Sequence, residues 1–123
     1  HGFPNCFQMG GLSQNGGSVN LTSVLDDHAQ HIGYIIKEVL SRGARYVQPT
    51  QEAETAWVDT IRSLAINSQA YFEACTPGYY NNEGHVSPGV GITAQGYAPG
   101  ANAFNSLLAQ WRSSDDLAGM QIK

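Results

Sequence analysis

Two histidines and an adjacent aspartate are the residues of this sequence whose spacing most resembles that of metal ligands. His28 and His31 are three positions apart, and Asp27 precedes the first of them. Helical zinc ligands more often use the i and i+4 spacing, with a third ligand supplied nearby. His28 also falls within an apolar stripe. We therefore predict a buried histidine at 28, a histidine at the border of the stripe at 31, and no metal site.

Other reactive side chains give weaker signals. Cys75 has no charged neighbour in the sequence that would favour the thiolate, so it is not expected to act as a nucleophile. Asp115 and Asp116 are expected to lie in a solvated turn. Tyr79 and Tyr80 could line a pocket or could anchor the packing of their loop. We name no catalytic residue in this chain.

A glycine-rich stretch, residues 10–18, leads directly into the longest predicted helix. The start of a helix leaves backbone N–H groups without intrahelical acceptors, and the helix dipole adds partial positive charge there. The start of this helix is therefore expected to favour binding of an electron-rich group. The alternative is that the glycines only form a tight connection, because neither the dinucleotide-binding spacing nor the P-loop spacing is present.

Apolar side chains recur every three or four residues after this loop, which predicts one long amphipathic helix. The predicted stripe consists of Leu21, Val24, Leu25, His28, Ile32, Ile35, Ile36 and Val39. Ser18 or Asn20 can accept a hydrogen bond as the N-cap, and Gly43 can take the left-handed conformation that ends the helix. The other elements are expected to pack around this helix.

Two further helices are predicted. Thr50 is expected to cap the second helix, and the third is expected to begin near Gly100. The inner stripe of the second helix is Ala53, Ala56, Trp57, Thr60, Ile61 and Leu64. The inner stripe of the third helix is Ala103, Phe104, Leu107, Leu108 and Trp111.

The remaining segments are predicted to be strands or loops. Residues 44–47 and 120–122 are expected to be extended, and residues 2–8 are expected to form a turn around Pro4 and Asn5, followed by a short apolar stretch that is a candidate buried strand. Residues 67–100 are rich in turn formers, which predicts a long irregular loop lying over something larger. The fold class is therefore mostly α with long irregular loops.

The composition suits a piece of a larger protein. Charged residues make up 13% of the 123 residues, against roughly a quarter in an average soluble domain. A chain of this length could form at most one domain, and this one opens with His1 instead of methionine. The formal net charge of −4 and the scattered basic residues offer no basic surface, so no nucleic-acid partner is expected.

Membrane and secretion signals are not expected either. No apolar run approaches the roughly 18 residues of a membrane span, and no signal segment opens the chain. Cys6 and Cys75 are isolated in the sequence. They are therefore predicted to be free thiols in the reducing cytoplasm.

Four stretches resemble the C-terminal part of Baeyer–Villiger monooxygenases, in the order in which that family has them. The first runs from HGFPNCF at residues 1–7 through the Gly10–Gly11 turn and the helix entry at 18–20 to Asp27–His28. Residues 49–57 are similar to the family's PTxEAExxW. CTPGYYNNEG at 75–84 resembles members that take larger cyclic ketones or steroids. Residues 104–119 are similar to the FxxLLxxWR and DLxG tail of the same subgroup.

The resemblance implies a C-terminal fragment of an α/β flavoprotein with two dinucleotide-binding domains. Residues 1–43 would be the end of the FAD-binding domain, comprising a strand, the glycine-rich loop and the long helix. Residues 44–123 would be a C-terminal extension of helices and loops that packs on the rest of the enzyme. FAD and NADPH would be held mainly by parts absent from this chain, because the nucleotide-binding motifs and the family fingerprint do not occur in it.

The resemblance also implies which residues line the site. Cofactor contacts are expected at Gly11, Asn20, Leu21 and Thr22. The substrate pocket is expected to be lined by Leu12, Ser13, Gln14 and Asn15. The tryptophan that touches NADP in many members aligns with Gly78, so that contact is not carried over.

The implied function is insertion of one oxygen atom next to a ketone carbonyl, which gives an ester or a lactone. The implied partners are the ketone substrate and the remainder of the same enzyme. The fragment alone would be inactive, because activating dioxygen needs a reduced flavin that no side chain replaces. The alternative is a non-catalytic structural or binding module, which the yellow colour of bound flavin would distinguish from the enzyme.

Overall fold

A computed structural model of the chain describes residues 1–9, 20–93 and 96–123. Within this part the architecture is mostly α, as the sequence predicts. The helices are α1 (Leu21–Ser41), α2 (Gln51–Leu64), α3 (Gln69–Ala74), a 3₁₀ helix (Tyr79–Gly84), α4 (Val90–Thr93) and α5 (Ala101–Ser113). The strands are β1 (Val47–Pro49) and β2 (Met120–Ile122), which form an antiparallel pair.

Helix α1 begins and ends close to where the sequence places its caps. The Oδ1 of Asn20 accepts a hydrogen bond from the Thr22 amide at 2.9 Å, which makes Asn20 the N-cap. Gly43 follows the helix with φ of 71°, the left-handed conformation that an L side chain rarely adopts. The other candidate cap, Ser18, lies outside the described residues.

The apolar stripe of α1 is only partly covered. Its buried side chains are Val24, His28, Ile35 and Val39. Leu21 and Ile36, predicted to face inward with them, are 62% and 43% exposed. The prediction is wrong for these two for different reasons: Ile36 points about 60° or more away from the buried set, whereas Leu21 lies on the same side as Val39 but in the first turn, where no described element covers it.

Strands β1 and β2 join segments that are far apart in the sequence. Val47 pairs with Ile122, Gln48 with Gln121, and Pro49 with Met120. The Gln48 side-chain amide also donates to Gln121 Oε1 at 3.0 Å. The extended stretch predicted at 44–47 therefore becomes a strand two or three residues later, while the one predicted at 120–122 is confirmed.

The turn predicted at Pro4 and Asn5 is confirmed, but the short apolar stretch after it does not form the candidate strand. Residues 4–5 form a turn, and Asn5 has φ of 58°, which breaks an extended run. Asn5 reaches β1 through both its main chain and its side chain: its amide donates to Val47 O at 2.9 Å, and its Oδ1 accepts from the Val47 amide at 3.0 Å. The Asn5 side chain thus takes the hydrogen bond that a neighbouring strand would otherwise make.

The long loop predicted at 67–100 contains three short helical elements: α3, the 3₁₀ helix and α4. Helices α3 and α4 meet with their backbones in close contact, since a Cβ at Gly91 would overlap the backbone nitrogen of Gln69. Gln69 Oε1 accepts from the Gly91 amide at 3.1 Å. The prediction of an irregular segment is therefore wrong for these stretches, whose order comes from contacts with one another.

The core is small and lies where α1, the strand pair and the chain before β2 meet. Its buried cluster is Ile35, Val39, Val47 and Leu117. Helix α2, capped by Thr50 as predicted, has no buried side chain, and its predicted inward residues Ala56 and Leu64 are exposed. Of the predicted inner stripe of α5, Phe104 is buried.

Candidate functional site

The first turn of α1 is the part of the predicted cofactor site that the structure describes. Asn20, Leu21 and Thr22 are all exposed there. The Thr22 amide donates to Oδ1 of the N-cap residue Asn20, and the Val24 amide donates to Asn20 O at 3.2 Å. The amides of residues 21 and 23 have no intrahelical acceptor, as at every helix start, so this turn can offer hydrogen bonds and positive dipole to a flavin ring.

The other predicted site residues cannot be placed beside this turn. Gly11, Leu12, Ser13, Gln14 and Asn15 lie outside the described residues. Their assignment to the cofactor and substrate sides of the pocket stays a prediction.

Helix α1 is tied to α5 and the following turn by three polar contacts along its length. Asn105 Nδ2 donates to Asp27 Oδ2 at 2.6 Å, and the Tyr34 hydroxyl donates to Asp115 Oδ1 at 2.7 Å. Between them, Arg112 Nη1 lies 3.2 Å from His31 Nδ1. These contacts set the direction of α1, and with it the direction in which the helix start points.

The side chain of His31 lies between a cation and an aromatic ring. Its ring centroid is 5.1 Å from that of Trp111. Burial, the Arg112 guanidinium and the neighbouring His28 together lower the pKa of His31 to about 4. His31 is therefore neutral at physiological pH, with a lone pair that can accept the hydrogen bond from Arg112.

His28 is a core histidine, as predicted. It is 6% exposed, and its ring meets the ring of Phe104 edge to face at a centroid distance of 6.2 Å. Among residues 1–9, 20–93 and 96–123, no three His, Cys, Asp or Glu side chains come together as a possible metal site. Cys6 and Cys75 are free thiols.

A cavity of about 530 Å³ lies between α1, α2 and α5. Most of its lining is apolar and aromatic, including Ile32, Trp57, Phe104, Leu107 and Trp111. His31 and Glu54 add polar groups. The apolar stripes that line this cavity are readable from the spacing of apolar residues, but the cavity itself is not, because its volume depends on how far apart the three helices lie.

The cavity is separate from the helix start. Its first lining residue on α1 is His28, about two turns beyond Asn20. The cavity can hold an apolar group, but the described residues that line it include no cysteine, serine or lysine that could act as a nucleophile. None of the described helices is both long enough and apolar enough to cross a membrane.

Comparison with known proteins gives one consistent answer, although no family model matches the chain. A Baeyer–Villiger monooxygenase of Streptomyces coelicolor is 46% identical over 119 residues, which are 95% of this chain and 19% of that protein. The chain is homologous to the C-terminal fifth of Baeyer–Villiger monooxygenases. Neopentalenolactone D synthase of Streptomyces avermitilis is 38% identical over all 123 residues, again 20% of its length.

The fold agrees with this relationship. An oxidised steroid monooxygenase bound to NADP superposes with a TM-score of 0.72 at 22% identity, over 98% of this chain and 21% of the other. The chain thus spans about a fifth of the length of the relatives it matches.

The tail motif of the Baeyer–Villiger monooxygenases is a turn that closes the core in this structure. The Asp116 carboxylate accepts from Ser114 Oγ at 2.8 Å and from the Ala118 amide at 2.9 Å, and these bonds lower the pKa of Asp116. Leu117 is buried in the core, and Trp111 Nε1 donates to Ala118 O at 2.9 Å. Asp115 and Asp116 lie in an exposed turn, as predicted.

The CTPGYYNNEG motif is organised by one buried asparagine. Asn81 is 6% exposed, and its Nδ2 donates to Cys75 O at 3.1 Å and to Thr76 O at 3.2 Å. Its Oδ1 accepts from the Gly78 amide at 2.8 Å. Tyr79, which follows Gly78 in the chain, is 88% exposed and does not line the cavity. The side chain of Tyr80 lies outside the described part of the structure.

Proposed function

We propose that this chain is the C-terminal part of a Baeyer–Villiger monooxygenase that uses FAD and NADPH. The enzyme inserts one oxygen atom next to a ketone carbonyl and releases an ester or a lactone. The observation that carries this proposal is the match of nearly the whole chain to enzymes of this family, with 46% identity over 119 residues to the Streptomyces coelicolor protein. The similarity to an NADP-bound steroid monooxygenase supports the same fold.

The start of α1 is proposed to meet the flavin. Asn20, Leu21 and Thr22 form an exposed first turn whose amides can donate to the pyrimidine edge of the ring. Gly11 is proposed to join this contact, and residues 12–15 to line the substrate side. When bound, the reduced flavin supplies the activation of dioxygen. The residues of this chain orient the cofactor and shape the pocket, and none is proposed as catalytic.

The remainder of the enzyme is proposed to hold most of FAD and NADPH. In this assignment residues 1–43 complete the FAD-binding domain and residues 44–123 form an extension against it. The small core of the described residues supports a segment that is completed by further chain. A cytoplasmic location is proposed because Cys6 and Cys75 are free thiols.

The test uses the complete polypeptide that contains this segment. We expect it to purify with flavin absorbance, to oxidise NADPH faster when a cyclic ketone is added, and to form an ester carrying one oxygen atom from ¹⁸O₂. The 123-residue chain alone is the control and is expected to bind neither FAD nor NADPH in titration calorimetry. A complete polypeptide without flavin and without ketone-dependent oxidation would overturn the proposal in favour of a non-catalytic module.

A further inference from the structure

The cavity between α1, α2 and α5 is too large to be a fault in packing. Protein interiors contain few voids larger than a water molecule, whereas this cavity has a volume of about 530 Å³. Pockets that bind small molecules have volumes of about 300 to 1,000 Å³, with a lining that is mostly apolar and includes a few polar groups. The cavity therefore has the size and the lining of a binding pocket.

One wall of the cavity carries a hydrogen-bond donor whose tautomer is fixed. A guanidinium can only donate, so Nδ1 of His31, which lies 3.2 Å from Nη1 of Arg112, is the acceptor. The proton of the neutral ring is therefore on Nε2. His31 lines the cavity, and no hydrogen bond among the described residues uses its Nε2. This N–H group can donate to a molecule inside the cavity.

The charge of the lining limits which molecules can bind there. Glu54 is the charged side chain among the described residues of the lining, and Arg112 does not line the cavity. An anion would lose its hydration and would be repelled by the Glu54 carboxylate. A cation could pair with Glu54 but would leave the N–H group of His31 without an acceptor. A neutral molecule with a hydrogen-bond acceptor avoids both penalties.

Water and peptide are less suitable occupants of this cavity. Apolar cavities tend to stay dry, because a buried water molecule needs two to four polar partners. A peptide segment inside the cavity would bring several backbone N–H and C=O groups, each of which needs a partner. The polar side chains of the described lining are few: Gln8, His28, His31 and Glu54. A compact apolar molecule with a single polar group matches this lining better.

We propose that this cavity binds a neutral apolar ketone, or the ester formed from it, whose carbonyl oxygen accepts a hydrogen bond from Nε2 of His31. The inference rests on the function proposed above, which makes both molecules available to the protein. The carbonyl of a ketone or an ester accepts hydrogen bonds and has no proton to donate. The remainder of an apolar cyclic ketone can contact aromatic side chains of the lining such as Trp57 and Phe104.

The position of His31 on α1 indicates that a ketone is held there and is not converted. From residue 20 to residue 31 a helix rises about 16 Å. Reacting atoms have to approach within about 3.5 Å of each other. A carbonyl group bound at His31 is therefore too far from a flavin ring at the start of α1 to react with it.

Protection of an engineered thiol in the complete flavoprotein tests this site. Leu108→Cys places a thiol in the lining, and Leu64→Cys is the matched control on α2, outside the lining and 41% exposed in the parent. Timed maleimide labelling followed by peptide mass spectrometry reports each thiol separately from Cys6 and Cys75. The probes are adamantanone and its lactone, and NADPH is left out so that the ketone is not consumed. At about ten times the Kd of either probe, we expect roughly tenfold slower labelling at position 108 and no change at position 64.

The proposed hydrogen bond is tested by His31→Phe in the Leu108→Cys background, which removes the donor and keeps an aromatic ring. We expect the ketone concentration for half-protection to rise roughly fivefold, because one hydrogen bond is lost. Adamantane carboxylate has the same apolar cage with a negative charge, and it is expected to give no protection. If His31→Phe fails to fold, the comparison of adamantanone with the carboxylate in the Leu108→Cys protein still decides.

Three results would overturn the inference. A thiol at position 108 that does not label even without a probe would show that the polypeptide itself fills the cavity. Labelling unchanged by both carbonyl compounds would show that neither binds there, and equal protection by the carboxylate would show that the site does not select neutral molecules. Ketone-dependent NADPH oxidation without protection overturns this inference and leaves the proposed function. Protection in a polypeptide without flavin or ketone oxidation overturns the proposed function and leaves the binding site.

Discussion

The guanidinium of Arg112 lies 3.2 Å from Nδ1 of His31, so a cation on α5 is held by a neutral imidazole on α1. The contact is stable only while His31 is unprotonated, because an imidazolium has no lone pair to accept the hydrogen bond and would repel the guanidinium. It lies midway along α1, between the Asp27 and Tyr34 contacts to the same region. The protonation state of His31 therefore bears on how firmly α1 is held.

The pKa of His31, lowered from 6.5 to about 4, predicts a loss of stability in acid. Between these two values the unfolded chain binds the proton more readily than the folded chain. The free energy of unfolding therefore falls as the pH falls from 6.5 towards 4, and this contribution is fully retained above pH 6.5. His31→Gln keeps an acceptor for Arg112 but does not titrate. We expect its melting temperature in the complete protein to fall less between pH 7.5 and 4.5 than that of the wild type.

The matched control is His85→Gln, which changes an exposed histidine in the loop before α4. It should follow the wild-type pH dependence. If the melting temperatures of His31→Gln and the wild type fall by the same amount between pH 7.5 and 4.5, the contact with Arg112 does not depend on the protonation of His31.

Asn81→Asp is expected to loosen the CTPGYYNNEG segment. The carboxylate can still accept from Gly78, but it cannot donate to the carbonyls of Cys75 and Thr76 and repels them instead. Losing buried partners of this kind costs about 2 kcal/mol, which corresponds to a roughly 30-fold larger equilibrium constant for local opening. Hydrogen exchange of residues 72–84, followed by mass spectrometry, measures this change.

Asn82→Asp is the control for that measurement, because Asn82 is exposed and aspartate tolerates its φ of 52° comparably well. It should leave exchange nearly unchanged. Similar acceleration in both variants would mean that Asn81 is not the residue that organises the segment.

Gly119→Ala is expected to destabilise the protein by about 1–3 kcal/mol, since an L side chain at positive φ is strained and the core cannot expand freely. Gly119 has φ of 76°, and a Cβ there would lie 2.9 Å from the Cβ of Ala53 on α2. The measurement is the melting temperature of the complete protein.

A double-mutant cycle separates the two causes. Ala53→Gly removes the atom that would clash with Gly119→Ala but leaves the backbone strain. The double variant should therefore lose roughly 1 kcal/mol less than the sum of the single variants. Strict additivity would show that α2 and the tail turn are not packed as tightly as the 2.9 Å approach implies.

Asn20→Asp tests the proposed contact between α1 and the flavin. Asparagine and aspartate are nearly equal as N-caps, so folding should not suffer. A carboxylate on the order of 8 Å from the reduced ring would repel its negative charge by roughly 2 kcal/mol at an effective dielectric near 20. For a two-electron couple this lowers the potential by about 45 mV. A spectroscopic redox titration of the complete enzyme and the variant measures the shift, and unchanged potentials would remove the helix start from the cofactor site.

Features encoded within a few neighbouring residues were predictable from the sequence. The periodicity of α1, the caps at Asn20 and Thr50, and the burial of His28 depend on local spacing and local hydrogen bonds, and the structure confirms them. The family resemblance was also readable, because its motifs are short and keep their order.

Tertiary structure decided whatever depends on residues far apart in the chain. The register of β1 with β2 joins positions 71 to 75 residues apart, such as Gln48 and Gln121. The hydrogen bonds that join the turn at Asn5 to β1 are long-range contacts of this kind, and the exposure of Ile36 depends on which side of α1 the other elements pack. The cavity arises in the same way, since periodicity shows which face of a helix is apolar but not how far away its neighbour lies.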